Sequence, residues 1–341
     1  MINSLLKFKN NFSKEKLSLG LDIGTSDLKI VKLKLTKDIV ELSSFGLESG
    51  KFDLAEALKK IKQQHIADSV NISVSGPQTV IRYVNFPRMN NTELKQALKF
   101  EAQKHIPFAV NEVNLDGYIL KDNLADNKML VLIAAVKKEL VNQRLKMIGD
   151  AGFRVNTVGI DSIALANAFN FNYPSLGIEE HKAVALLNIG ASVTNLDILE
   201  EGLPRLSRDL HIAGNSFTQK IMDIFNLDFN NAEKLKLNPD EERANKVKAA
   251  VESVLANLAS EIRTSFDYYE SQSTSSVVKI FLSGGGALFN GLKETLAHFV
   301  GIEVEYWDPL KQIGITELID RDKLKVASAQ LTIAIGLALR S

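Results

Sequence analysis

The chain has no cysteine, one tryptophan and seven prolines in 341 residues, and its shortages exclude several classes of protein. Without thiols there is no disulfide framework and no thiolate metal or redox centre, which fits a reducing, cytosolic setting. An excess of one charge is missing too. Lys plus Arg and Asp plus Glu stand at 41 each, so no global field draws the molecule to nucleic acid or to an anionic surface. Long apolar runs are also lacking: residues 129–136 fall far short of the roughly 20 that span a bilayer, and read as a buried strand. The leader, 1–16, is basic and broken by Lys7, Lys9 and Asn10, so it lacks the apolar core of a signal peptide. Leu5, Leu6, Phe8 and Phe12 give it only a weak amphipathic stretch.

What is present is 45% hydrophobic residues, enough for large cores in a chain long enough to divide into two domains. Residues 19–30 and 185–196 align without a gap. In each, an apolar run of strand formers reaches Asp22 or Asn188, then Gly24 or Gly190, then small residues, and apolar alternation resumes. Each copy reads as a β-hairpin with a small-residue tip. Lacking side-chain bulk at the two glycines, backbone N–H groups can approach an anion, and Thr25, Ser26, Ser192 and Thr194 can add hydroxyl donors. Two such hairpins face to face would clamp the phosphates of one nucleotide. One D-x-G-x-S hairpin by itself is more often an ordinary turn; the case rests on the pair together with Gly284, Gly285 and Gly286 after the strand-like run 277–282.

Strand-like segments at 17–24, 28–35 and 38–47, a helix over 53–64 and a strand at 70–75 open a mixed α/β domain. After the Gly76-Pro77 break and a strand at 79–85, Asn90 with Glu93 forms an N-cap pair for a helix reaching Ile106. Paired strands at 113–120 and 129–136 and a helix over 138–151 complete a small insert. The second half, from near His181, carries a helix at 219–225, a long helix over 244–269 and a small-residue helix at 328–339. Asp161 reads as the cap of a helix over 162–169, with positioning of a water as the other reading.

Paired D-x-G hairpins, a late Gly-rich loop and a small-residue terminal helix resemble the α/β actin-like (ribonuclease-H-like) two-domain ATPase fold. Within it, Phe86-Pro87-Arg88-Met89, Phe100-Glu101-Ala102-Gln103-Lys104-His105-Ile106-Pro107-Phe108, Ala213-Gly214-Asn215, Ala232-Glu233-Lys234-Leu235-Lys236 and Glu261-Ile262-Arg263-Thr264-Ser265-Phe266-Asp267-Tyr268-Tyr269 resemble, in order, signatures of the PilM family of type IV pilus assembly proteins, related to FtsA. The resemblance runs over 19–339. It implies a first domain in two parts (17–78 and the crossover 156–180), an inserted FtsA-like subdomain (79–155), a second domain (181–310) and a terminal segment (311–341) returning to the first. It also implies an ATP-binding, cytoplasmic scaffold, peripheral to the inner membrane through the cytosolic tail of a PilN-like membrane protein that docks between the insert and the first domain. Other pilus inner-membrane components and self-association are further implied contacts, with no nucleic acid.

By that resemblance Asp22 holds a Mg²⁺-bound water, while Gly24, Thr25, Ser26 and Lys29 meet the β- and γ-phosphates. An exposed strand lysine is the competing reading of Lys29. Gly190, Ala191, Ser192 and Thr194 form the opposing clamp, Gly214 and Asn215 lie near the ribose, Glu233 and Lys236 embrace ribose and adenine, and Gly284, Gly285 and Gly286 line the base and α-phosphate. The departure from the pattern is Asn188, where actin-type ATPases carry a carboxylate. An amide neither accepts a proton at neutral pH nor adds negative charge to a metal, so the expectation is firm ATP binding with slow or absent hydrolysis. The alternatives are a polymerising FtsA-like cytoskeletal protein and a small-molecule kinase of the same fold. FtsA-type proteins add a membrane-binding helix after a linker, whereas this sequence stops at Arg340-Ser341, which makes attachment through a partner the expectation.

Overall fold

A computed structural model describes residues 15–50, 53–65, 69–174, 176 and 182–340; most of the leader lies outside them. Its strands, in chain order, are β1 (Lys16–Ile23), β2 (Asp27–Leu35), β3 (Val40–Ser49), β4 (Ser69–Val74), β5 (Thr79–Pro87), β6 (Val113–Leu124), β7 (Lys128–Lys137), β8 (Arg154–Ile160), β9 (Lys182–Ile189), β10 (Thr194–Glu200), β11 (Leu203–Leu210), β12 (Ser276–Ser283), β13 (Glu303–Tyr306) and β14 (Gly314–Ile315). They form three sheets.

The duplication seen in the hairpins extends to whole sheets. The first has the order β14-β3-β2-β1-β4-β8 and the second β11-β10-β9-β12-β13. In the first, β3, β2 and β1 form an antiparallel meander, with β4 parallel to β1 and β8 parallel to β4. The second repeats this with β11, β10 and β9, then β12 parallel to β9 and β13 parallel to β12. Parallel pairing requires a crossover, and the crossovers distinguish the halves. Between β3 and β4 runs the helix Leu54–Gln64, capped by Asp53 on the backbone N–H of Glu56. Between β11 and β12 run three helices, Gly214–Phe225, Phe229–Leu237 and the long Glu241–Glu270.

The insert between β4 and β8 is the antiparallel sheet β5-β7-β6. Helix Asn91–Glu101 covers one of its faces, opened by a full capping box between Asn90 and Glu93. Its other face joins Ile81, Leu132 and Val136 to Val74 and Ile160 of the first sheet. The helix expected to reach Ile106 ends at Glu101 and continues only as a 3₁₀ turn, Ala102–Lys104.

Between the two large sheets lie the helices Asp161–Asn172 and Thr332–Ala338, within an apolar core fed by β2, β3, β9 and β12. Phe169, Tyr173, Phe281 and Trp307 interlock there, with the Phe169 and Trp307 rings edge-on at 5.3 Å. Close helix approach depends on Gly336, where an added Cβ would stand 1.8 Å from the carbonyl oxygen of Ala164. The continuous terminal helix expected over 328–339 begins as a 3₁₀ turn, Ser328–Gln330, after a separate helix Arg321–Ala327, and is α-helical only over Thr332–Ala338. The Ala329 carbonyl explains the break: it accepts from the Gly284 N–H at 2.7 Å instead of serving a helical turn.

Candidate functional site

Both hairpin tips close with the same bond. The Gly24 N–H donates to the Asp27 carbonyl at 3.0 Å, and the Gly190 N–H donates to the Val193 carbonyl at 3.0 Å. Glycine is required because a Cβ would lie 2.9 Å from Asp27 O in one tip and 2.8 Å from Val193 O in the other. The tips meet: Thr25 Oγ1 and Ser192 Oγ are 2.9 Å apart. Hydroxyls from opposite halves of the molecule thus converge on one point, beside the half-buried Ser26.

Behind the first tip, Asp22 pairs across the strands with Lys29, whose Nζ stands 3.0 Å from Asp22 Oδ2. Both are largely buried, so the exposed-lysine reading of Lys29 gives way to a buried ion pair. Burial opposes the charge on Lys29, but Asp22 foremost, with Asp27 and Asp161, holds its pKa above the ordinary lysine value. Behind the second tip the register is the same, with amides in place of charges: Asn188 Nδ2 donates to Asn195 Oδ1 at 3.1 Å. Asn188 Oδ1 accepts from Ser283 at 3.2 Å and Thr332 at 3.4 Å.

The second tip is braced by the start of helix Gly214–Phe225. Gly214 N–H and Asn215 N–H donate to the carbonyls of Gly190 and Ala191, and Asn215 Nδ2 donates to Ser192 Oγ at 3.1 Å. Glu233 and Lys236, one turn apart on Phe229–Leu237, are paired at 2.7 Å, and Lys236 also donates to Thr218 Oγ1 at 2.8 Å and to the Gly214 carbonyl. Beside Ser192 and Asn215 opens a cavity of about 430 Å³, also lined by His211, Ser216 and Lys220.

Not every residue picked from the sequence faces this space. Thr194 is fully buried and its hydroxyl donates to the Ile212 carbonyl at 2.7 Å, so it braces the hairpin from behind. Gly284 has φ +90°, and a Cβ there would stand 2.3 Å from Ile189 O. Gly286 is held as closely, since a Cβ there would stand 2.6 Å from Ile189 Cγ2. The close backbone approach read from these two glycines is made to β9. Gly285 is exposed at the surface beside Gln330.

Four aspartates gather between the halves, of which Asp197 and Asp209 escaped sequence reading. Asp161 is the first residue of its helix; the cap position is Ile160, without a side-chain bond, so the expected capping role does not hold. Burial first, then Asp22, pushes the Asp161 carboxyl up to about 6, with the Ser73 and Ser75 hydroxyls easing it. Asp197 has no solvent exposure and neither carboxylate oxygen has a hydrogen-bond partner. Burial pushes it up to about 7, and the nearby Ser207 and Ser162 hydroxyls only partly relieve it. Asp209 accepts from Asn195 Nδ2 at 2.9 Å and from the Gly76 N–H at 2.9 Å. Tyr83 of the insert bonds Ser207 at 2.8 Å, and burial followed by Asp197 raises its phenol far above the usual range. The sequence signal was Asp197 itself, a charge set between Leu196 and Ile198 in an otherwise apolar strand.

The profile of the family described as type IV pilus assembly protein PilM matches residues 20–341. Among solved structures, a PilM–PilN type IV pilus biogenesis complex superposes with a TM-score of 0.83 at 26% identity, covering 95% of this chain and 98% of that one. Ethanolamine utilization protein EutJ from Carboxydothermus hydrogenoformans matches with a TM-score of 0.51 at 14% identity, over 99% of this chain and 95% of that one, a likeness of fold. The chain has the actin-like ATPase fold.

Proposed function

Because this chain belongs to the type IV pilus assembly protein PilM family, we propose that it is an assembly scaffold that docks a PilN-like partner and whose two halves clamp a nucleotide. The likeness to the PilM–PilN complex supports the partner. No helix among the described residues is long and apolar enough to cross a membrane, so the partner is the proposed route to the inner membrane.

The observation that carries the nucleotide reading is the contact of the two glycine-closed tips through Thr25 and Ser192. Phosphate oxygens entering between them would replace that hydroxyl pair and meet donors from Gly24, Thr25, Ser26 and Lys29 on one side and Gly190, Ala191 and Ser192 on the other. Gly214 and Asn215, which brace the second tip, are assigned to the ribose side, and Glu233 with Lys236 to ribose and base. Gly285 is the member of the Gly-rich turn left open to a ligand.

A Mg²⁺ ion fits beside Asp22. Asp22 and Asp161 repel one another closely enough to raise Asp161, and a divalent cation would relieve that repulsion. No three histidines or carboxylates converge as a direct cage among the described residues, so the ion would be held through water and phosphate oxygens. Its chemistry would be to neutralise phosphate charge. Asn188, bonded to Asn195, Ser283 and Thr332, is not placed as a base, so turnover is proposed to be slow.

The test is calorimetric titration of ATP with Mg²⁺ against wild type and Asp22→Ala, with phosphate release followed on the same samples. Tight binding lost in the variant with little phosphate released is the expected result. Rapid release would return the chain to the ATPases proper, and absence of binding would leave a scaffold with a vestigial cleft.

A further inference from the structure

A second cavity lies on the insert, apart from the hairpin tips. It encloses about 810 Å³ between helix Asn91–Glu101, the 3₁₀ turn Val110–Glu112 and the beginning of β6. Its floor is apolar, formed by Leu98, Val110, Val113 and Leu115, and its rim carries Lys95, Lys99 and Lys138. Phe100 stands at its edge with 75% of its surface exposed. Helix Asn91–Glu101 sits on the sheet face turned away from the first sheet, apart from the place between the insert and the first domain that the family resemblance implies for a PilN-like tail.

Two further observations specify what fits. First, β6 is an edge of the sheet β5-β7-β6. It is regular through Ile119 and bulged only beyond it. The Gly117 N–H is bonded to its own neighbour, Asp116 Oδ1, at 2.9 Å, and so points away from β7. Strand alternation then turns the N–H and C=O of Leu115 outward as well, toward the groove. An outward edge with a side chain folded over one amide is a protected template for strand addition. Second, the charges are one-sided. The single lining carboxylate, Asp116, is engaged by Gly117 and by the Tyr118 hydroxyl. Lys138 donates to the Asn111 carbonyl, an uncharged partner. Lys95 and Lys99 enter no ion pair among the described residues.

We propose that this groove binds an extended acidic peptide segment of a partner protein, which adds as a strand beside residues 113–117 of β6. Side chains of one phase face the helix: the central apolar ones enter the floor against Leu98 and Phe100, and acidic ones toward the ends of the segment meet Lys95 and Lys99. A lipid surface is a poorer match, because it cannot use the outward amides and cannot reach a concave floor.

The experiment is fluorescence anisotropy with the full chain and a labelled nonapeptide whose odd positions read glutamate, leucine, leucine, leucine, glutamate, with serine between them. Four comparisons accompany it: the same peptide with lysine for glutamate, two forms of it N-methylated at alternate amides in one phase or the other, and vesicles of equal parts phosphatidylglycerol and phosphatidylcholine. Saturable binding of the acidic peptide is expected, weakened about tenfold or more by Lys95→Glu with Lys99→Glu and by Phe100→Ala. All three substitutions are at exposed positions and should leave the fold intact, which circular dichroism checks. N-methylation in the phase that blocks the outward strand should abolish binding. No saturable binding, equal binding of the lysine or both N-methylated peptides, indifference to the substitutions, or vesicle binding through the same lysines in place of the peptide would each overturn the proposal.

Discussion

Asn188 donates its amide to Asn195 across β9 and β10 at 3.1 Å, in the register position that Asp22 and Lys29 occupy as an ion pair across β1 and β2. One hairpin therefore carries a buried charge pair behind its tip and the other a neutral copy. A neutral pair avoids the desolvation that two buried charges demand, but it also gives up the field that orders a cation. On the proposed reading, this asymmetry assigns the cation to the first half.

Replacing Asn188 by Asp should raise phosphate release and lower stability together. The new carboxylate cannot donate to Asn195 Oδ1, so two acceptors face each other at a buried site, at a cost of about 1–3 kcal/mol. Adding Asn195→Lys recreates the pair seen at Asp22 and Lys29, and the double variant should recover stability relative to Asn188→Asp alone. Urea denaturation with a phosphate-release assay checks both; a stable single variant without added turnover would show that the amide is neither a block to catalysis nor a structural need.

Removing Asp22 should harm more than nucleotide binding. Asp22→Ala strands the Lys29 ammonium, which is 14% exposed at its side chain, and breaking a buried pair from one side typically costs about 3–5 kcal/mol. Asp22→Ala with Lys29→Met removes both charges and should regain most of that stability while still failing to bind ATP with Mg²⁺. Thermal unfolding separates the two effects, since a double variant as unstable as the single would mean that the stranded Lys29 charge is not what destabilises Asp22→Ala.

The hydroxyls of Ser192 and Thr194 offer a cleaner division. Ser192→Ala should leave stability nearly unchanged and weaken nucleotide binding, because its oxygen sits between Thr25 and Asn215 at the tip. Thr194→Val should lower stability by about 1–2 kcal/mol through the loss of the Ile212 bond and leave affinity alone. The opposite pattern in paired titration and denaturation would reassign Thr194 to the phosphate side.

The hairpins were legible because they are local: a glycine with small neighbours, flanked by period-two apolar alternation, specifies a turn and the register around it. The same holds for Asn90 and Glu93, whose reciprocal bonds depend on four consecutive residues. What could not be read is what distant strands impose. Gly284 resembles a ligand-contacting glycine in sequence, yet its restriction comes from Ile189, which comes up against it only once β12 lies beside β9. The break before Leu331 has the same origin, since nothing near Ala329 reveals that its carbonyl serves Gly284. Asp197 is the extreme case: a carboxylate that the sequence offers as one more strand charge is enclosed by β10, the crossover helix and the insert.

That enclosure makes stability depend on pH. The folded-state pKa values of Asp161 and Asp197, about 6 and about 7, lie above the 3.8 of a free aspartate. Between these values the folded protein retains protons that the unfolded chain has released, so stability contributed by these groups falls as pH rises through the window and levels off above it. Asp197→Asn supplies the neutral form permanently. The variant should match wild type near pH 4 and exceed it near pH 8 by a few kcal/mol, on the scale of about 1.4 kcal/mol per pKa unit. Urea denaturation at the two pH values measures the difference directly. A variant less stable than wild type near pH 8 would mean that Asp197 is ionised in the folded state and held there by Ser162 and Ser207, and the seam between the halves would then be anchored by a buried charge.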